Sequence, residues 1–219
     1  MLSGDPTLRA FDNQTRTYGG VAPLASRVSF HCLDSAEPDI PEQPFMFRTA
    51  CDDGLRAQIL FPSCWDGENL YLPDSAHVAY QRQIGNGGCP PSHPVLLPLL
   101  FFEVLYFTND VVQSPGGEFV FAQGDPTGYG FHGDFMNGWA QDVLDAAVNG
   151  CLSLAGDVDG TIDACPALAS FHNVNFARTC PQQPPVIAEP VTGELEALPG
   201  CNPVEPGPEP APLLDCACD

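Results

Sequence analysis

Ten cysteines are dispersed along the chain: Cys32, Cys51, Cys64, Cys89, Cys151, Cys165, Cys180, Cys201, Cys216 and Cys218. They constrain its fold more than any other feature. No Cys-x-x-Cys pair or matching histidine spacing points to zinc. An even, scattered set predicts disulfides formed in an oxidising compartment, so a secreted, extracellular protein is expected. The sequon Asn13-Gln14-Thr15 agrees and marks Asn13 as a glycosylation site. Spacing alone leaves the disulfide connectivity open.

The 219 residues include 24 prolines and 21 glycines, which cut the apolar pattern into short pieces. Residues 26–33 and 55–61 alternate polar and apolar, as half-buried strands do. Residues 99–107 are nearly continuous apolar and read as a central strand, interrupted by Glu103. One convincing helix runs over 139–148, with Trp139, Val143, Leu144, Ala147 and Val148 on one stripe. Asn137 is its expected N-cap and Gly150 its stop. The acidic run Asp157–Asp163 departs from a calcium loop and reads as a turn. Ten of the last 39 residues are proline, which predicts an extended tail. The expected class is mainly β, a disulfide-stabilised β-sandwich or jelly roll with one short helix. The expected organisation is a β-rich core over 1–180 and a Pro-rich, Cys-containing tail over 181–219.

Seven arginines and no lysine face 28 Asp and Glu, a net charge of −21. That field repels duplex nucleic acid and anionic membrane surfaces, so neither is expected as a partner. Neutral glycans and cations stay compatible. The longest apolar run contains Pro98 and Glu103 and is too short to span a bilayer. No signal peptide is visible at Met1-Leu2-Ser3-Gly4-Asp5, so the start reads as internal or processed.

Residues 124–139 hold the densest chemistry: five glycines, Asp125, His132, Asp134 and several aromatic rings. If extended, Phe131, Gly133 and Phe135 face one side while His132 and Asp134 face the other. A His/Asp pair aimed into a cleft suits proton transfer, metal ligation or sugar binding. Glu103 shares a strand face with Leu99, Phe101, Leu105 and Phe107, where a carboxylate is costly unless paired or protonated. The catalytic candidates are therefore Glu103, Asp125, His132 and Asp134. The ligand-binding candidates are Trp65, His77, His93 and Tyr129. Glu103 with Asp134 or Asp125 would supply the two carboxylates of a glycosidase. Histidines with a carboxylate would also suit a metal ion; no other cofactor is expected.

Several stretches together resemble a family of secreted fungal proteins catalogued as domain of unknown function nineteen-ninety-six. They are residues 1–9, Asp53-Gly54-Leu55-Arg56, Phe61-Pro62-Ser63-Cys64-Trp65-Asp66-Gly67 and Ser75-Ala76-His77-Val78-Ala79-Tyr80. Further pieces are His93-Pro94-Val95 with Leu97-Pro98, Leu100 and Glu103, then 124–135, then Leu198 to Val204. The resemblance covers roughly residues 1–204. It implies export, disulfides and association with cell-wall carbohydrate. Members usually carry a histidine- and glycine-rich part ahead of the segment matching Met1. Its absence here implies a core incomplete at its N-terminus, or a second chain supplying that segment. Gln58 stands where the family often has an acid, and Leu96 where it often has arginine. Two functions are carried forward. One is a polysaccharide-acting hydrolase or lyase with a His/carboxylate site. The other is a non-catalytic glycan-binding or structural cell-wall protein with Trp65, Tyr71, Tyr80, Tyr129 and Trp139 as sugar platforms.

Overall fold

The computed structural model describes residues 1–16, 23–83, 87–112, 114–151, 162–179, 184 and 189–214. The chain forms two compact units. Met1–Phe135 joins the described part of Glu189–Asp219 in one, and Met136–Ala188 forms the other. The Pro-rich stretch after residue 189 therefore belongs with the β unit rather than standing apart from it.

The β unit holds three small sheets. Strands β2 (Val28–Leu33), β3 (Gly54–Leu60) and β7 (Phe101–Tyr106) form one antiparallel sheet in the order β2–β3–β7. Strand β4 (Cys64–Trp65) lies between β5 (Val78–Ala79) and β6 (Val95–Leu96). Strand β1 (Leu2–Ser3) pairs with β8 (Gly133–Asp134). The mainly β class expected from the sequence is what the structure shows.

Alternation builds the core. Val28, Phe30 and Cys32 of β2 point inward, and Leu55, Ala57, Ile59 and the following Phe61 meet them from β3. Phe131 completes the cluster, with its ring centroid 5.8 Å from that of Phe30. Full burial of each large apolar side chain contributes about 1.5–3 kcal/mol. The opposite face of β3 is kept polar by Gln58, whose amide donates to Ser29 Oγ at 2.9 Å.

The run 99–107 departs from expectation. It is not a central strand: β3 is the centre of its sheet, and β7 is an edge, exposed along its whole length. An unbroken apolar run fits burial on both faces but does not say how many neighbours a strand has. Phe102 still packs on Phe61, with centroids 4.9 Å apart.

Disulfides tie the loops down. Cys32–Cys51 anchors β2 to the turn before β3, and Cys64–Cys89 anchors β4. Cys151–Cys165 links helices within the second unit, and Cys201 is disulfide-bonded as well. Cys180, Cys216 and Cys218 lie outside the described residues, as does the run 152–161 with most of the acidic stretch.

Among its described residues the second unit contains three short helices rather than the single one expected: α1 (Gln141–Gly150), α2 (Pro166–Ala169) and α3 (Val174–Thr179). The stripe Val143, Leu144, Ala147 and Val148 is the less exposed face of α1. Asn137 does not cap it. Its Oδ1 accepts from Trp139 N at 3.1 Å, in the turn before the helix, and the capping position is Ala140. Among the described residues, no helix is long and apolar enough to cross a membrane.

Candidate functional site

The glycine-rich stretch folds around Asp125, and its carboxylate is consumed by structure. Oδ1 accepts from Thr127 N at 2.8 Å and Thr127 Oγ1 at 2.6 Å, and Oδ2 accepts from Gly130 N at 2.8 Å. The Arg9 guanidinium lies 3.8 Å away, and both side chains are fully buried. Arg9 also donates to the carbonyls of Pro6, Leu8, Gln123 and Glu205. One ion pair thus joins the N-terminal segment, the glycine-rich turn and the tail. The Asp125 carboxylate is thus held inside the turn rather than facing a cleft.

The glycines explain themselves by close approach. A β-carbon on Gly124 (φ 79°) would lie 1.9 Å from the Pro203 carbonyl oxygen, so the tail docks where only glycine fits. Glu205 N donates to Gly124 O, and Ala211 N to Thr7 O. Further along, the expected alternation holds: Phe131 is buried, Gly133 faces the Phe61 ring and Phe135 packs on the core.

The other candidates are placed as follows. His132 Nδ1 lies 2.9 Å from Gly130 O, and Asp134 is exposed on β8 opposite Leu2. Glu103 does not sit unpaired on an apolar face: its Oε1 is 3.3 Å from Arg56 Nε and its side chain is 45% exposed. Arg56 in turn reaches Glu42 and His31 Nδ1, forming a ladder across the surface of the β2–β3–β7 sheet. Trp65, His77 and His93 gather on the β5–β4–β6 sheet. Trp65 pairs with Val78 and Val95 in register and donates from Nε1 to Asn69 O at 2.6 Å. The His77 ring lies 6.1 Å from that of Tyr71, and His93 Nε2 is 2.9 Å from Ala76 O. Beside them, hydrogen bonds from the Asn69 side chain and Glu68 N hold the Asp66 carboxyl down at about 2.

A groove of about 910 Å³ runs along residues 2–12 and is walled by Tyr80, Tyr129, Pro208 and Leu213. Neither this groove nor a smaller apolar cavity of about 300 Å³ beside Tyr106 and Phe121 is lined by Glu103, His132, Asp134, His77 or His93. Of the sequence candidates, Tyr80 lines the groove, and so does Tyr129. The Tyr129 ring meets Phe11 edge-on at 6.5 Å and Phe45 at 5.7 Å.

The groove's polar lining includes Asp5, Asp12, Gln14, Arg16 and Asp74, along with Ser3, Thr7, Arg9 and Ser75. Asp5 accepts from Thr7, and Asp12 from Gln14 N at 2.9 Å. Asp74 and Ser75 both take left-handed backbone with φ 54°, a conformation that concentrates at functional sites. Sequence reasoning missed these residues, which sit in loops without periodicity; an Asp-x-Thr turn at residue 5 was the one local signal. Among the described residues, no group of three His, Cys, Asp or Glu side chains is placed to hold a metal ion.

The chain belongs to the family described as Domain of unknown function (DUF1996), whose model matches residues 1–139. The matched region ends four residues beyond Phe135, where the first segment of the β unit stops. It takes in every described β-strand and most of the groove, and leaves out residues 198–204 and helices α1, α2 and α3. No curated protein and no solved structure matches the chain.

Proposed function

We propose that this family member is an extracellular protein that binds carbohydrate chains of the cell-wall type in the groove along residues 2–12, without cleaving them. The lining of that groove carries the reading: the rings of Phe11, Tyr80 and Tyr129 beside the hydrogen-bonding groups of Asp5, Asp12, Gln14, Arg16 and Asp74. Apolar ring surface with a few placed polar groups is the usual make-up of a small-molecule site, and its volume falls within the roughly 300–1,000 Å³ such sites span. The disulfides support an oxidising, extracellular setting. Asn13, in the exposed loop beside the groove, is available for glycosylation. A hydrolase built on Glu103 and Asp125 finds no support, since one is ion-paired with Arg56 and the other is buried in a turn.

Calorimetric titration of neutral cell-wall oligosaccharides tests the proposal. Phe11→Ala and Tyr129→Ala should each weaken binding about threefold to tenfold, the size of one aromatic contact, while His77→Ala should leave it unchanged. No binding by the wild type, or variants that bind as well as it does, would overturn the groove. Release of new reducing ends from the bound chain would overturn the non-catalytic reading.

A further inference from the structure

Seven arginines share 28 carboxylates in this chain; among the described residues Arg9, Arg48 and Arg56 are ion-paired, and a buried arginine without an acidic partner stands out. Arg27 is such a residue. It is 3% exposed, and its Nε and Nη2 are buried with no hydrogen-bond partner. Its guanidinium carbon instead stands 4.6 Å from the centre of the Tyr80 ring. Arg16 approaches the same tyrosine from the neighbouring loop, accepting Tyr80 N at its carbonyl, and also lines the groove. Neither arginine makes an ion pair among the described residues. Tyr80 also lines the groove and is fixed by Ser3 Oγ at 2.9 Å from its hydroxyl. Burial raises the pKa of that hydroxyl, while the Ser3 hydrogen bond and the charges of Arg27 and Arg16 pull it down.

A buried charge without a counter-ion is costly unless something supplies the opposite charge. The groove's carboxylates do not: Asp5 and Asp12 hold their own turns, and Asp74 forms no ion pair among the described residues. Resting on the carbohydrate reading of this groove, we propose that its Tyr80 end is an anion subsite. It would receive the single carboxylate of a uronic acid residue within an otherwise neutral chain. Arg16 meets the carboxylate directly. Arg27 acts from beneath the Tyr80 ring, as a fixed positive charge in a place water does not screen. Asp5, Asp12 and Asp74 line the same groove, where they accept hydrogen bonds from sugar hydroxyls. The net charge of −21 argues for one anionic group rather than a polyanion, which the surrounding field would repel.

Methyl β-glucuronide and methyl β-glucoside differ at one carbon, and titrating both into the full chain isolates the carboxylate. The glucuronide should bind at least about tenfold more tightly, in the range of a charge-assisted contact. Arg16→Gln should remove that preference. Arg27→Met should reduce it severalfold without lowering the thermal midpoint, because an unpaired buried charge is replaced by a side chain of similar volume. Added salt should weaken the glucuronide alone, a readout that needs no variant. Equal binding of the two glycosides, or a preference that survives Arg27→Met, would overturn the subsite and leave the carbohydrate reading standing. Binding of neither, nor of the neutral oligosaccharides, would overturn both.

Discussion

Replacing Asp125 should cost more stability than any other single change in the glycine-rich stretch. The carboxylate satisfies three donors, Thr127 N, Thr127 Oγ1 and Gly130 N, and faces Arg9, all with no exposure of either charged side chain. Asp125→Ala leaves a buried guanidinium without its counter-ion and two backbone N–H groups without an acceptor. Breaking a buried charged pair costs about 3–5 kcal/mol. For a chain of this length that lowers the thermal midpoint by roughly 6–20 °C, at 2–4 °C per kcal/mol. Asp125→Asn should be milder, about 2–3 kcal/mol, because the amide oxygen still serves Thr127 while its NH₂ meets the Gly130 N–H. Urea unfolding under non-reducing conditions, followed by tryptophan fluorescence, measures both. Arg9→Met in the same background should be strongly non-additive with Asp125→Ala, since the two share one pair. A loss below about 1 kcal/mol for Asp125→Ala, at unchanged m-value, would refute the structural assignment of this residue.

Gly124→Ala should cost about 1–3 kcal/mol, because it adds left-handed strain and a clash with the Pro203 carbonyl. Limited proteolysis should then cut near residues 203–211 in the variant and spare the wild type. Acid should loosen the loop after Trp65. Asp66 titrates at about 2 in the folded state against 3.8 for the free side chain, so its contribution is complete above about pH 4 and lost as the pH falls through 2. Trp65 fluorescence should report that transition, and Asp66→Asn should abolish it without affecting the remainder of the acid titration.

Local patterns were readable where the structure keeps to them. Residues 26–33 and 55–61 alternate, and they became β2 and β3 with the predicted faces inward. The same logic placed Phe131 inside and His132 on the other face. It failed where the answer depends on neighbours. Residues 99–107 carry the composition of a central strand, yet β7 is bonded to β3 along one side and stands at the sheet edge. Glu103 looked costly in that setting, but a diagonal contact to Arg56 on the next strand pairs it. Helices α2 and α3, of four and six residues, are too short to show a 3.6-residue period.

Asp125 shows most sharply what a sequence withholds. Asp-Pro-Thr-Gly is legible as a turn, and the aspartate side chain does bond to the backbone two residues on. Whether such an aspartate is spare for chemistry depends on what faces its remaining oxygen. Here that is Gly130 N and Arg9, and Arg9 lies 116 positions earlier, beyond any local pattern. The same geometry explains why the groove escaped notice. Its walls come from residues 2–16, Leu24 to Val28, Pro62, the 74–80 turn, Tyr129 and the proline-rich tail, segments that no spacing connects. They meet because Arg9 binds the carbonyls of Gln123 and Glu205 while its neighbour Thr7 binds the tail at Ala211. The buried Arg9–Asp125 pair thus ties together segments that line the groove, so on the proposed reading Asp125→Ala should weaken glycan binding in parallel with stability. If binding fell while stability held, Asp125 would instead be a residue of the site.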